Sequence, residues 1–289
     1  MVNRRKLMIG GLASLTLAGF GSYIFLNNES NQPQGEQYEK VLVADLHTHV
    51  STAYLKERDV LLKVLSQGIT GLATFQGNDK YLNYNELIQC PEITEVTPGV
   101  MARINSQGKT GFIVKVQEVL SSSHVLAIGC RETIDDKLDP RKVIEEVHRQ
   151  CGVAVLDHPY VTNGTGIQLY RLLTDKEEKF VREELVPMVD ELETHNAHNI
   201  CLVPGFLNMA PANDKAKTLA SEVGFKGLAN SDAHYLLDQV RIAANLFPED
   251  CTNFEALKHY IKTGTFSPLS GSVSRYNFIK GLAFCILTE

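Results

Sequence analysis

Hydrophobic and polar positions alternate in blocks along most of the chain. From residue 40 onward, short runs rich in Val, Ile and Leu are separated by longer stretches in which apolar residues recur at helical spacing. The short runs predict strands at residues 40–46, 70–75, 111–120, 124–129, 152–157, 188–194 and 226–230. Helices are predicted at residues 55–67, 140–150, 214–223 and 253–263. This order predicts an α/β protein with a parallel sheet and helical crossovers.

Polar residues that can bind metal ions fall at the ends of these strands. His47 and His49 stand two residues apart after the first strand, and Asp232 and His234 have the same spacing after the last. Side chains at i and i+2 of a strand point to one face, so each pair presents two donors together. Other strand ends carry Glu118, His158 and His195. Because the carboxyl ends of barrel strands meet on one face, the pattern predicts a transition-metal site.

The first 40 residues have a different pattern. Arg4, Arg5 and Lys6 precede an uncharged run over residues 7–25, and a polar stretch without apolar periodicity follows. This order predicts a signal peptide or membrane anchor at residues 1–28 and a linker at residues 29–40, and the basic start resembles a twin-arginine signal. We therefore expect an exported protein that is periplasmic, or anchored to the inner membrane if the segment is not cleaved. Residues 41–289 then form one domain.

Composition and charge narrow the possible partners. The chain has 289 residues, of which 44% are hydrophobic and 21% charged, as is typical of a folded protein. The net charge of −6 leaves no basic excess to neutralise a nucleic-acid backbone, so we expect no stable nucleic-acid complex. The six cysteines include no Cys-x-x-Cys pair and are interpreted mostly as buried small hydrophobic residues. A small anionic substrate remains compatible with a metal cluster, whose ions would be the largest local charges.

Five short segments, taken in order, resemble the motifs of the PHP (polymerase and histidinol phosphatase) domain family. The resemblance covers residues 41 to about 268. Residues 44–49 resemble the first motif, residues 116–126 the glutamate strand, residues 153–159 the His-Pro motif, residues 193–196 the strand that carries Glu and Asn, and residues 230–234 the closing Ser-Asp-x-His. The resemblance implies a distorted seven-stranded (β/α) barrel that holds up to three metal ions and hydrolyses phosphoester bonds.

The same resemblance implies a set of metal ligands. It assigns one ion to His47, His49, Glu118 and Asp232, and another to His124, His158 and His234. The family's second motif ends in Thr-Asp-His-Asn, but Gln76 and Gly77 stand at its Asp-His positions in this chain. The family's Ser-Asp-Gly after the first motif is also missing. We therefore expect two ions of zinc, manganese or iron rather than three.

The predicted function is that of a metal-dependent phosphoesterase, a hydrolase that acts on a small phosphorylated substrate through a metal-activated water. The catalytic set is His47, His49, Glu118 and Asp232. Two alternatives remain open: a catalytically impaired metal-binding or regulatory module, favoured by Gln76 and Gly77, and an amidohydrolase-type metal hydrolase, which also begins with His-x-His. Candidates for contacting substrate or replacing a lost ligand are His195, His198 and Arg241, the last through its forked phosphate-binding donors.

Overall fold

The structure of the protein is a computed structural model that describes residues 41–163, 170–203, 207–277 and 280. The predicted signal or anchor segment at residues 1–28 and the predicted linker at residues 29–40 lie outside the described residues. In the part of the chain that is described, no helix combines the length and the apolar character needed to cross a membrane.

Strands dominate the described residues. They are β1 (Val41–Val50), β2 (Ile69–Thr74), β3 (Ile93–Thr97), β4 (Met101–Ser106), β5 (Lys109–Val119), β6 (Val125–Ile128), β7 (Val153–Leu156), β8 (Val161–Asn163), β9 (Tyr170–Leu172), β10 (Glu191–Asn196), β11 (Cys201–Val203), β12 (Leu207–Asn208), β13 (Leu228–Asn230), β14 (Ala233–Tyr235), β15 (Ala244–Pro248) and β16 (Ser267–Leu269). The α-helices are α1 (Arg58–Leu65), α2 (Tyr84–Leu87), α3 (Pro140–Arg149), α4 (Asp175–Phe180), α5 (Ala210–Val223) and α6 (Phe254–Lys262).

One large sheet curls into a nearly closed barrel. Its strand order is β13-β10-β7-β6-β5-β2-β1-β15-β16, and β14 also pairs with β1. Only Ser231 and Asp232 separate β13 from β14, so this segment passes directly from the β10 side of the sheet to the β1 side. Asn230 spans the same gap, because its side-chain oxygen accepts a hydrogen bond from the Leu46 N–H at 3.0 Å. The predicted α/β barrel is therefore confirmed at the level of a mixed, barrel-like sheet.

Several strand directions differ from the predicted parallel sheet, because β4 runs antiparallel to β5, β15 to β1 and β16 to β15. β1 pairs in parallel with β2 and β14, and β10 pairs in parallel with β7 and β13. However, β6 runs antiparallel to both β5 and β7. Residues 120–124 are too few to form a crossover helix, so the chain turns back as a hairpin. This hairpin brings Glu118, near the end of β5, next to His124, just before β6.

Apolar packing holds the strands in place. Inside the barrel, side chains of β1, β2 and β5–β7 form one cluster with Phe254, Leu257 and Ile261 of α6. A second cluster packs α3 and α5 against the outer faces of β6 and β7. Every residue of β6 and β7 is buried, which explains why these strands are continuous apolar runs in the sequence. The polar residues that follow the strands are thereby fixed at one end of the barrel.

Candidate metal centre

Metal-type side chains gather from separate elements at the carboxyl ends of the barrel strands. They are His47 and His49 of β1, Glu118 of β5, His124 before β6, Asp157 and His158 after β7, Glu193 of β10, Asp232 between β13 and β14, and His234 of β14. Apart from His234, each of these residues is at most 8% exposed. Burying so many charged and polar groups is costly unless hydrogen bonds, ion pairs or bound cations compensate them.

A first group of donors forms around one oxygen of Glu118. The Nε2 atoms of His47 and His49 lie 3.1 Å apart, because both side chains leave the same face of β1. Glu118 Oε2 lies 3.3 Å from His47 Nε2 and 2.9 Å from His49 Nε2. Asp232 Oδ1 lies 3.3 Å from His47 Nε2 and 3.6 Å from His49 Nε2. Ligand atoms of His47, His49 and Asp232 lie within 4.8 Å of one another, close enough to bind a single ion together, and Glu118 Oε2 borders both imidazoles.

A second group forms around the other oxygen of the same carboxylate. Glu118 Oε1 lies 2.8 Å from His124 Nδ1 and 3.6 Å from His158 Nε2. Asp157 Oδ2 lies 3.2 Å from His158 Nε2. One ligand atom from each of Glu118, His124, Asp157 and His158 can be chosen so that all lie within 4.8 Å of one another. Glu118 therefore connects the two groups.

A third cluster consists of His47, Asp157 and Glu193, and its contacts indicate that it orients His47 rather than holding a further ion. His47 Nδ1 lies 3.1 Å from Glu193 Oε1 and 3.3 Å from Asp157 Oδ1, while its Nε2 faces the first group. An imidazole that ligates an ion through one nitrogen uses the other as an N–H donor. Glu193 is fixed in turn by the side-chain amides of Asn230 and Asn196, which donate to it at 2.9 and 3.0 Å. We interpret Glu193 as the group that orients His47.

The backbone is unusual at two donor positions. Asp232 has φ = 52° and His158 has φ = 23°, in the left-handed region that most side chains avoid. Around Asp232 the chain is held by Asp45, which accepts hydrogen bonds from the Ser231 N–H at 3.1 Å, the Ser231 hydroxyl at 2.5 Å and the Arg241 N–H at 2.8 Å. Such conformations persist when surrounding contacts enforce them, and they cluster at functional sites.

The electrostatics of the cluster attract positive charge. Burial alone would raise the pKa of Glu118, but hydrogen bonds from His124 and His158 hold that pKa well below its ordinary value. Burial would lower the pKa of His158, yet Asp157 and Glu118 raise it to about 10. Burial raises the pKa of Asp157 well above its ordinary value, although His158 and His47 act in the opposite direction. In the described residues, these carboxylates pair with histidines rather than with lysine or arginine.

His234 does not lie with the second group, to which the sequence assigned it with His124 and His158. Its Nε2 lies 3.0 Å from Asp232 Oδ1, beside the first group. Tyr81 supports it from behind, with its hydroxyl 3.2 Å from His234 Nδ1. Asp157 takes the corresponding place next to His124 and His158.

The second-motif positions contribute no donor to either group. Gln76 and Gly77 are exposed, and the Gln76 side-chain oxygen accepts a hydrogen bond from the Asp136 N–H at 3.1 Å. The neighbouring Phe75 instead stacks on the His49 ring, with ring centroids 4.5 Å apart. An aromatic wall therefore lines this side of the first group.

Two histidines, His195 and His198, were candidates for contacting substrate, and of these only His198 lies next to the cluster. Its ring centroid is 5.7 Å from that of His234, and its Nδ1 lies 2.9 Å from the Ser231 carbonyl oxygen. His195 instead contacts the Gly271 carbonyl oxygen through Nε2 at 2.5 Å. A register shift between Glu193 and His195 breaks the two-residue alternation, so the two side chains do not share a face.

Arg241 needs a correction as well. Its guanidinium donates to the Val64 carbonyl oxygen at 3.0 Å and to the Thr70 hydroxyl at 2.6 Å. These contacts tie the end of α1 to the start of β2. The donors proposed to hold a phosphate are thus used within the fold.

Three residues of the cluster were not among the predicted site residues, namely Asp157, Glu193 and Asn196. All three stand in the segments that carry the PHP resemblance. Each also lies in or directly after an apolar strand, where a carboxylate or amide is buried and requires a partner. The position of a polar residue at the end of an apolar strand could therefore have identified these residues from the sequence.

The donors present fit divalent metal ions. Asp232 Oδ1 and both carboxylate oxygens of Asp157 are buried without a hydrogen-bond partner in the described part of the chain. Buried carboxylate oxygens normally have such partners, and a cation would satisfy them. Imidazole nitrogens combined with carboxylate oxygens suit zinc, manganese or iron.

The barrel-like sheet, with a donor cluster that could hold metal ions at one end, resembles PHP-type folds. Residues 210–266 match the family model described as PHP-associated. The fold is similar to that of a lesion-specific endonuclease from Pyrococcus furiosus, with a TM-score of 0.52 and 17% identity over 79% of this chain and 58% of that one. It is also similar to a two-domain protein from Bacteroides vulgatus that contains a predicted PHP-like metal-dependent phosphoesterase, with a TM-score of 0.51 and 12% identity over 90% and 75% of the chains. No curated protein sequence matches.

These matches confirm the predicted PHP resemblance. At 17% and 12% identity the structural matches establish the fold alone. The chain also spans only 58% of the length of the endonuclease. The PHP-like fold is therefore established, while the activity, the bond and the substrate are matters for a proposal.

The prediction that the protein forms no stable nucleic-acid complex is wrong, because it excluded this class of partner on net charge alone. It was drawn from the net charge of −6, but the similar structure from Pyrococcus furiosus is an endonuclease. Net charge describes the whole surface, whereas a phosphate at a metal site meets the local field of the ions. A nucleic-acid partner therefore belongs among the candidates.

Proposed function

We propose that the protein is a hydrolase that cleaves phosphoester bonds with two divalent ions. The observation that carries the proposal is the sharing of one buried carboxylate, Glu118, between two groups of donors. Paired ions held by a common ligand are the arrangement used for displacement at phosphorus. The PHP-type fold supports the same reaction class.

Charge balance supports two ions rather than one. The carboxylates of Glu118, Asp157, Glu193 and Asp232 are all buried and would carry four negative charges. Histidine ligands must be neutral to bind an ion, so they cannot compensate those charges at the same time. Two divalent ions, of zinc, manganese or iron, would compensate them.

When bound, the ions would supply Lewis acidity for the phosphoryl charge and an acidified water as nucleophile. The chain's own residues position the reactants. Glu193 holds His47 in one orientation, and Glu118 fixes the spacing of the two groups. His234 has a 29% exposed side chain, against 10% or less for His49 and His158, so it faces incoming substrate. We assign to it the contact with the leaving group, with Tyr81 orienting its ring.

Two classes of substrate are candidates. A small phosphorylated molecule fits a chain with a net charge of −6, because the ions alone can neutralise a single phosphate. A nucleic-acid phosphodiester is favoured by the similarity to a lesion-specific endonuclease. Both candidates use the same donors, so they differ only in the surface around the site.

The test is an activity panel with the purified full-length chain, loaded with manganese or zinc. The panel contains p-nitrophenyl phosphate, bis-p-nitrophenyl phosphate, and duplex oligonucleotides with and without a base lesion. We expect metal-dependent release from at least one of these classes and its loss after chelation. A chain that retains fewer than two ions and turns over none of them would contradict the proposal and favour the impaired-module alternative raised by Gln76 and Gly77.

A further inference from the structure

Asp157 is buried in a way that its own contacts do not explain. The residue is 1% exposed and follows β7 directly, with its backbone N–H bonded to the His124 carbonyl oxygen at 3.2 Å. Neither of its carboxylate oxygens has a hydrogen-bond partner in the described residues. His47 Nδ1 lies 3.3 Å from Asp157 Oδ1 but also 3.1 Å from Glu193 Oε1, and one imidazole N–H cannot satisfy both acidic residues.

The surroundings of Asp157 identify the kind of partner. Its Oδ2 lies 3.2 Å from His158 Nε2, and its ligand atom lies within 4.8 Å of those of Glu118, His124 and His158. Two imidazoles and two carboxylates are a sufficient ligand set for a transition metal. The occupant that fits is a divalent cation.

Several donors that the family resemblance implies are missing from the cluster or lie elsewhere in it, so Asp157 could take the place of one of them. Gln76 and Gly77 are exposed and contribute nothing to the cluster, and His234 lies against Asp232 instead of joining His124 and His158. Without Asp157, the second group would consist of His124, His158 and one oxygen of Glu118.

We propose that Asp157 is a ligand of the second ion and takes the place in that site that His234, which lies beside Asp232, leaves open. The inference rests on the proposed two-ion function and adds to it a residue outside the predicted ligand set. A purely structural role for Asp157 makes a different prediction. A neutral Asp157 would share a proton with Glu193 or a histidine, and an asparagine would reproduce its shape and its donor.

The experiment compares metal binding by the full-length wild type with that of Asp157→Asn and the control Asp136→Asn. Asp136 lies on the same rim, and its side chain accepts from the Leu120 N–H at 3.2 Å, a contact that an asparagine oxygen can keep. Each protein is stripped with a chelator and titrated with Mn²⁺ or Zn²⁺ by calorimetry, and the bound ions are counted by elemental analysis. Thermal unfolding of each metal-free protein is recorded in parallel.

We expect two ions in the wild type and in Asp136→Asn, and one in Asp157→Asn, with affinity at the second site weakened by more than about 10-fold. The metal-free Asp157→Asn protein should still fold and unfold near the wild-type temperature, because asparagine has the same shape as the aspartate that it replaces. Two ions bound by Asp157→Asn with wild-type affinity would overturn the inference but leave the proposed function standing. Failure of the metal-free variant to fold would also overturn it, since the carboxylate would then be needed by the fold in the absence of any ion. A wild type that binds no ion would overturn both.

Discussion

Asp232 shows how a single residue can serve both the fold and the site. It lies where the two ends of the sheet meet, with φ = 52°. One carboxylate oxygen accepts a hydrogen bond from the Asn196 side chain at 3.1 Å, while Oδ1 faces His47, His49 and His234 without a hydrogen-bond donor. Asp and Asn tolerate this backbone conformation better than other non-glycine residues. An asparagine substitution therefore separates the charge of the residue from its shape.

Asp232→Asn should reduce phosphoesterase activity by at least about 100-fold, because it removes a charged ligand worth several kcal/mol to the transition state. The fold should persist, since the amide oxygen can still accept from Asn196. Steady-state kinetics and circular dichroism measure the two effects, with Asp136→Asn as the control that keeps activity. Activity near the wild-type level would remove Asp232 from the ligand set.

At the residue scale, periodicity and motif identified some donors but could not identify others. His47 and His49 were predictable because two imidazoles at i and i+2 of a strand have few other uses. Asp157 was not, since an acidic residue at the end of a strand can also face solvent, and only its burial in the structure separates the two cases. Arg241 was misjudged because its acceptors, Val64 and Thr70, lie more than 170 residues away in sequence.

At the element scale, the site depends on a close approach between β1 and β2. A Cβ atom added to Gly71 would lie 2.3 Å from the Leu46 carbonyl oxygen and 2.6 Å from its carbon. Leu46 precedes His47, so any displacement of β1 by such a clash moves a metal donor. Backbone atoms cannot relax in the way that the end of a flexible side chain can.

Gly71→Ala should therefore lower both the free energy of unfolding, by about 1–3 kcal/mol as for overpacked cores, and the affinity for metal. Gly108→Ala is the matched control, because no heavy atom lies within 4 Å of its added Cβ and its φ of 74° is the sole source of strain. The control should cost about 1 kcal/mol and leave metal affinity unchanged. Denaturant unfolding and metal titration of both variants make the comparison. Equal metal affinity in the two would show that the spacing of β1 and β2 does not position His47.

Element positions were largely predictable, but pairing directions were not. The runs that became β2, β5 and β7, and the helices that became α3 and α6, follow from apolar periodicity and from caps such as Asp139 and Asn253. Strand direction depends on the length and type of the connection. The pattern predicted that β5 and β6 are separate strands, but it did not predict that the five residues between them form a hairpin. The shift between Glu193 and His195 leaves no trace in the pattern of residue types.

At the scale of the whole molecule, stability should depend on bound metal. The buried carboxylates repel one another unless cations are present, and an occupant that binds only the folded chain stabilises it by about 2.7 kcal/mol per site at 100 times its dissociation constant. Thermal unfolding with and without a chelator should show a midpoint at least about 5 °C higher in saturating Mn²⁺ or Zn²⁺. The shift should grow with metal concentration, and Asp232→Asn should reduce it. Identical midpoints in metal and in chelator would contradict a metal-stabilised fold.

The overall architecture was predictable because several ordered segments agreed on one barrel. Its closure was not, since it depends on residues 228–235 pairing with β10 at one end and with β1 at the other. Charge gave the least reliable guidance: a global value of −6 was used to exclude a class of partner that a similar fold accepts.

Glu118 contacts both groups of donors through a single carboxylate. One of its oxygens faces His49 and the other faces His124, so a single set of side-chain torsion angles must suit both neighbours. Binding of the first cation would fix those torsion angles, so binding of the second would not cost that side-chain entropy again. By thermodynamic reciprocity the benefit is equal in either order of arrival. For the proposed two-ion site we therefore expect cooperative loading, with few half-filled molecules at any metal concentration.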